Sequence, residues 1–208
     1  MTVTTLPTPL SPSDRAAIAG LYVAAFAPSD LASDLAWLEN APRSHLLAAH
    51  DGDTLVGFKW ANQRRPHELH SNLGVVAPSH RRRGIARALL RAQHAWAAEQ
   101  GFARVTTNTY GHFGPMLVLN LAEGFELVGL RRTPRGLKLL LERDLSQPVE
   151  PLHPLPTPQV RRLVVQGRDA LAAALTVGFE VTGMNDDGFV LTPRTSKGPA
   201  IDSQGRSR

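Results

Sequence analysis

The chain has 208 residues, 42 % of them apolar, which is enough for one generous domain or a domain with an appendage. It has no cysteine, no apolar run near the ~20 residues of a membrane span, and no basic or apolar signal region in Met1-Thr2-Val3-Thr4-Thr5-Leu6-Pro7; disulfides, thiolate metal sites and a cysteine nucleophile are excluded, and a soluble cytoplasmic protein is expected. The formal charge of +5 comes from clusters such as Arg64-Arg65, Arg81-Arg82-Arg83 and Arg131-Arg132, which do not interleave with aromatics and match no nucleic-acid-binding pattern, so solvated surface charge plus one anionic ligand accounts for it.

After a short extended start, Ser13-Asp14-Arg15 is expected to cap a helix whose Ile18, Leu21, Tyr22 and Ala25 lie on one side, with Pro28 ending it. A second short helix is expected over 33–38. Strand-like runs at 45–50 and 54–60 flank Asp51-Gly52-Asp53, and Asp-Gly between apolar runs signals a hairpin. A loop rich in Arg, Pro and His leads to a strand over 68–76. A helix then runs from 84 to about 100, closed by Gly101. A buried strand at 102–109 comes next, followed by a helix opened by Pro115 and stopped by Gly124, and by strands at 125–130 and 137–143. This order predicts the α/β class: a mixed, mostly antiparallel central sheet flanked by helices, with one parallel crossover.

The main domain is expected to be 1–145. Five prolines between Pro148 and Pro158 mark a stiff linker over 146–159. Order is expected to resume over 160–194 as a small α/β appendage of a strand, a helix near 169–175 and two short strands; the polar tail 195–208 reads as disordered. Gly178-Phe179-Glu180-Val181-Thr182-Gly183 echoes Gly124-Phe125-Glu126-Leu127-Val128-Gly129. A chance repeat of a helix stop and a degenerate copy of a helix-strand-strand half-module both fit this echo.

The chemistry concentrates in 73–90. The apolar run Leu73-Gly74-Val75-Val76-Ala77 halts at Pro78, passes three arginines and Gly84, and restarts as a helix. A strand feeding a glycine turn into a helix makes an anion cradle, because the first N–H groups of the helix and the positive end of its dipole face the turn. Glycine lets that backbone approach a bulky ligand, and arginines add donors suited to phosphate oxygens. A pyrophosphate-bearing ligand is implied. The glycine pattern of a dinucleotide fold and the Gly-Lys-Ser/Thr of a Walker loop are both missing.

Arg81-Arg82-Arg83-Gly84-Ile85-Ala86 has the form R-x-x-G-x-A. With Val76-Ala77-Pro78 before it, Ala88-Leu89-Leu90 after it, and the later helix ending in Gly124-Phe125, the chain resembles the GCN5-related N-acetyltransferase (GNAT) superfamily over roughly residues 10 to 145. The resemblance implies an acyl-CoA-dependent N-acyltransferase that moves acetyl from acetyl-CoA directly to a primary amine of a small molecule or peptide. It also implies that the backbone of Arg82, Arg83, Gly84, Ile85 and Ala86, with Arg81 and Arg87 nearby, holds the CoA pyrophosphate. The strand edge at Val75, Val76 and Ala77 would pair with the pantetheine amides and supply an oxyanion donor.

Removal of a proton from the incoming ammonium falls to Glu68 or His70, two apart on the strand and therefore on one face, which Asn72 is expected to continue. An unperturbed imidazole, at ~6.5, suits a base without tuning; Glu68 would need a raised pKa or a water relay. Many family members carry a Tyr four residues before the Gly of Gly-Phe as general acid. Here Asn120 stands there, unable to give a proton, and is kept among the cofactor contacts. Tyr110 is the nearby substitute, water the other, since a thiol at ~8.5 leaves readily. His112 is a further candidate contact. The eight histidines make no metal-binding spacing, and Trp37, Trp60 and Trp96 read as core or cleft-wall residues. The rival reading is a non-catalytic acyl-CoA-binding regulatory or interaction module. Neither nucleic acid nor membrane is an expected partner, and a homodimer through the appendage stays open. The resemblance implies an acceptor set by the first two helices and the loops around 28–44, 61–68 and 110–114.

Overall fold

Ser11 rather than Ser13 opens the first helix: its hydroxyl accepts from the Asp14 N–H at 3.1 Å, and Pro12 takes the first helical position. This helix, α1 (Pro12–Ala25), belongs to a computed structural model that describes residues 1–26, 31–111, 113–134, 136–153 and 163–193. Pro28 as a helix stop, His112, the linker from 154 onward, the start of the appendage at 160–162 and the tail over 195–208 lie outside the described residues. The chain divides into two compact units, Met1–Thr107 with Asp144–Gln147 and Asn108–Arg143 with Pro148–Arg208.

In the first unit the extended start is a strand, β1 (Thr2–Leu6), paired antiparallel with β2 (His45–Asp51). β2 turns through Gly52-Asp53 into β3 (Thr54–Arg65), the expected hairpin. The expected loop before the next strand is absorbed by strand. β3 runs on to Arg65, turns through Pro66-His67, and pairs with β4 (Glu68–Val76), Asn62 opposite His70 and Gln63 opposite Leu69. Polar residues at the end of a long strand carry no alternation to reveal them. A 3-10 turn (Pro78–His80) leads toward α3 (Ile85–Glu99), after which β5 (Arg104–Tyr110) lies parallel to β4 from Glu68↔Arg104 to Ser71↔Thr107.

Two apolar layers hold this unit. On one face, Ile18 and Tyr22 of α1 and Leu35 and Leu38 of α2 (Leu31–Asn40) pack on Leu46, Phe58, Trp60 and Val75. On the other, Ile85 and Leu89 of α3 pack on Leu47, Ala49 and Val56. Trp60 is fully buried and its indole N–H donates to the Ser44 hydroxyl at 2.7 Å. Trp96 stacks on His45 with ring centroids 3.7 Å apart, and burial pushes that imidazole down to about 4, so a neutral ring lies against the indole. Trp37, at 58 % exposure, is no part of the core.

Lys59 is the unusual residue on the α3 face. It is 6 % exposed, it sits opposite Gly74, and its ammonium lies 3.5 Å from where a Cβ of residue 74 would stand. Burial pushes it down to about 8. Below pH 8 the folded chain bears the whole cost of a buried charge; between 8 and 10.5 the folded state releases a proton that the unfolded state keeps, so stability rises with pH. Lys59→Met is therefore expected to stabilise the protein at pH 7 by up to about 3 kcal/mol, with the gain shrinking by pH 10. Denaturant unfolding of both proteins at the two pH values checks this, and an equal stability of the two at pH 7 would contradict it.

In the second unit α4 (Gly114–Ala122) precedes the antiparallel pair β6 (Glu126–Thr133) and β7 (Gly136–Asp144). After β8 (Leu163–Val165), α5 (Arg168–Thr176) precedes the antiparallel pair β9 (Phe179–Asn185) and β10 (Gly188–Pro193). Helix, glycine at positive φ and two antiparallel strands thus occur twice, with Gly124 and Gly178 at the two stops. Leu117, Leu121, Phe125 and Leu139 are buried in the first set, and Leu171, Leu175, Phe179 and Leu191 in the second. A Cβ at Gly111 would fall 2.6 Å from the Val181 carbonyl oxygen, a backbone approach that only glycine permits.

The strands form a seven-stranded sheet, mostly antiparallel, in the order β1-β2-β3-β4-β5-β7-β6, and a three-stranded sheet in the order β8-β10-β9. The expected α/β class with a small additional C-terminal sheet is the observed one.

Candidate active site

The turn between β4 and α3 is built as an anion cradle. Gly84 caps the helix in the left-handed region at φ 80°, ψ −1°, with no side-chain cap and no acidic residue in the first turn. The first intrahelical bond is Ala88 N–H to the Gly84 carbonyl at 3.0 Å, so the amides of Ile85 and Ala86 have no acceptor within the helix. A Cβ on Gly84 would meet nothing within 4 Å, so the space over the helix end is open. Arg82, also at positive φ (64°), Arg83 and Arg87 are exposed around it. Arg81 is tied back by its Nε, which donates to the Val76 carbonyl at 3.2 Å, and His80 faces Asp51 at 3.4 Å. Both contacts fasten the N-terminal side of the loop that leads to the donors.

Upstream, β4 contains a bulge. Its register against β3 passes from Trp60↔Leu73 to Ala61↔Ser71, which leaves Asn72 as the extra residue. Asn72 Nδ2 donates to Asn62 Oδ1 at 2.6 Å and to the His70 carbonyl at 3.1 Å. The Asn72 side chain thus meets Asn62, the cross-strand partner of His70, on the face of Glu68 and His70, and the extra residue brings Leu73 and Val75 onto that face as well. Past the bulge, Val75 is buried, Val76 and Ala77 are half-buried, and Gly74 is exposed.

His70 and Glu68 are joined through a residue the sequence did not announce. The His70 Nδ1 lies 2.9 Å from the Thr106 hydroxyl, and that hydroxyl donates to Glu68 Oε1 at 3.1 Å. Glu68, 3 % exposed, takes Arg104 Nε and Nη2 on its other oxygen, each at 3.3 Å, with Arg65 Nη1 at 3.6 Å. His70 itself is half-buried. Arg104 and Thr106 alternate on β5 opposite Glu68 and His70. Only the parallel register places them there, and nothing in a sequence fixes the register of strands separated by a helix.

Two candidates lie in the second unit. Tyr110 is half-buried at the end of β5, 6.4 Å from the Phe113 ring, with the Lys138 ammonium 5.9 Å from its ring centroid. Asn120 is 2 % exposed on α4, and its carbonyl accepts from the Glu123 and Phe125 amides, which shapes the stop at Gly124. Among the described residues, no group of three or more His, Cys, Asp or Glu could hold a metal ion, and no helix is long and apolar enough to cross a membrane.

The sequence profile of the acetyltransferase (GNAT) family matches residues 15–112, which include the bulged strand, the cradle and α3. The chain carries a GNAT-family acetyltransferase domain. No curated protein sequence matches the chain. Among solved structures, the GNAT domain is similar to the ribosomal-protein-S18-alanine N-acetyltransferase of Escherichia coli, with TM-score 0.60 and 20 % identity over 73 % of this chain and 99 % of that one. It is also similar to the aminoglycoside 6'-N-acetyltransferase of Enterococcus faecium, with TM-score 0.60 and 18 % identity over 76 % and 100 % of the two chains. An aminoglycoside 6'-N-acetyltransferase complexed with coenzyme A gives 0.58 and 17 % over 76 % and 100 %. At these identities the likeness is one of fold. The GNAT domain is an N-acetyltransferase, and acetyl-CoA is its cosubstrate. The left-handed glycine cap, uncapped amides and surrounding arginines fit a diphosphate, which needs several donors and no competing carboxylate.

Proposed function

We propose that this protein transfers acetyl from acetyl-CoA directly to a primary amine of a small molecule or a peptide, with His70 as the base that receives the ammonium proton. The observation that carries the reading is the order of features along one strand. The imidazole of His70 lies two residues before the bulge, the strand edge from Val75 to Ala77 follows, and the anion cradle at Gly84 comes after it. In this reading the amides of Arg82 to Ala86, with the Arg81 and Arg87 side chains, bind the diphosphate of the cosubstrate. The edge at Val75, Val76 and Ala77 pairs with the pantetheine amides and gives an N–H to the oxygen that becomes negative as the amine attacks. Nothing covalent forms on the protein. Tyr110 is the proposed proton donor to the departing thiolate, a role that Asn120 cannot fill; Asn120 is assigned to the cofactor side of the site. Residues 1–145 are proposed as the acetyltransferase domain and 160–194 as its appendage.

The proteins of similar fold include acetyltransferases named for aminoglycosides and for a ribosomal-protein alanine, so both aminosugars and peptide N-termini belong in the test. Thiol release from acetyl-CoA, measured across a panel of such amines, is expected to saturate with at least one of them. Tight acetyl-CoA binding without release on any amine would reverse the reading in favour of a binding module.

A further inference from the structure

We propose that Thr106 is a positioning residue that fixes the tautomer of His70. The inference rests on His70 being the base and adds how the imidazole is held ready for that role. A threonine hydroxyl has one hydrogen to donate. That hydrogen goes to Glu68 Oε1 at 3.1 Å, and Glu68, facing the Arg104 and Arg65 guanidinium groups, is an acceptor. The same hydroxyl must then accept at its other contact, 2.9 Å from His70 Nδ1. His70 therefore carries its hydrogen on Nδ1, and the lone pair lies on Nε2.

The direction of the chain is set at its far end. Arg104 and Arg65 occupy one oxygen of a buried carboxylate, the other oxygen takes the Thr106 hydrogen, and the orientation passes to the imidazole. Glu68 thus acts at a distance from the proton it was expected to take. In the reaction one N–H bond of the ammonium breaks and one N–H bond forms at His70 Nε2, while the Nδ1 hydrogen stays on the ring, donated to the Thr106 hydroxyl oxygen. Without the hydroxyl Nδ1 loses the acceptor of its hydrogen, and the ring can shift toward the tautomer that has a hydrogen where the proton must land.

The test uses 15N-labelled full-length protein, reading the His70 ring nitrogens by NMR beside steady-state kinetics. Wild type is expected to show a protonated Nδ1 and an unprotonated Nε2. Thr106→Val keeps the shape and the strand preference of the side chain and removes the hydroxyl. It is expected to move the ring toward the Nε2-protonated form and to lower kcat roughly 10-fold with KM for acetyl-CoA unchanged, less than the full worth of a general base. Thr106→Ser is expected to restore both. Ring signals in Thr106→Val identical to wild type, or a kcat loss that Ser does not rescue, would overturn the proposal. A tautomer switch with kcat untouched would leave the hydroxyl's hold on the ring standing and overturn the base assignment it serves.

Discussion

His70→Gln is expected to lower kcat for amine acetylation about 10²- to 10⁴-fold, the range that a positioned general base contributes. Glutamine keeps much of the size of the imidazole and a group that can meet the Thr106 hydroxyl, yet it has no site of suitable basicity for the ammonium proton. KM for acetyl-CoA is expected to hold within about twofold, because the proposed diphosphate donors lie beyond the bulge, on the turn before α3 and on its first residues. Steady-state kinetics with the amine selected from the panel measures both. A variant that retains most of its kcat would place the proton acceptor elsewhere.

Gly84→Glu is expected to raise the dissociation constant for acetyl-CoA at least about 100-fold, close to 3 kcal/mol. Two effects act together. A residue with a Cβ at φ 80° is strained, at roughly 1–2 kcal/mol, and a carboxylate beside the helix end competes for the amides that would meet the diphosphate. A Cβ at this position meets no heavy atom within 4 Å apart from its own chain neighbours, so the variant is expected to fold. Gly84→Asn separates the effects, since asparagine tolerates the left-handed region and carries no charge; its loss is expected to be several-fold at most. Calorimetric titration with acetyl-CoA gives all three constants. Unchanged binding by Gly84→Glu would remove the diphosphate from this cradle.

Much of the architecture is written locally. Asp51 and Gly52 announce the first hairpin, and Gly101 and Gly124 stop their helices at positive φ as turn chemistry requires. Gly84, placed between a strand and an Ala/Leu run, marks the cradle before any fold is known. Other features leave a weaker local trace. Ser13 and Ser11 both precede the first helix, and only the hydroxyl bonded to the Asp14 amide is the cap. The far half of β3 is polar, so its pairing with β4 is not legible as alternation. The bulge at Asn72 has no signature of its own, and simple alternation would have kept Leu73 and Val75 off the face of His70.

The sequence by itself therefore determined the order of elements, the helix stops and the R-x-x-G-x-A cradle, because each depends on backbone conformations that neighbouring residues dictate. Tertiary structure alone decided what His70 and Glu68 touch. Thr106 and Arg104 lie 36 residues from their partners, beyond a loop and a whole helix. They meet them because two parallel strands settle into one register, and a register is chosen by the packing of both sheet faces together. A single residue of slip would turn Thr106 to the opposite face and leave the imidazole without its fixed proton.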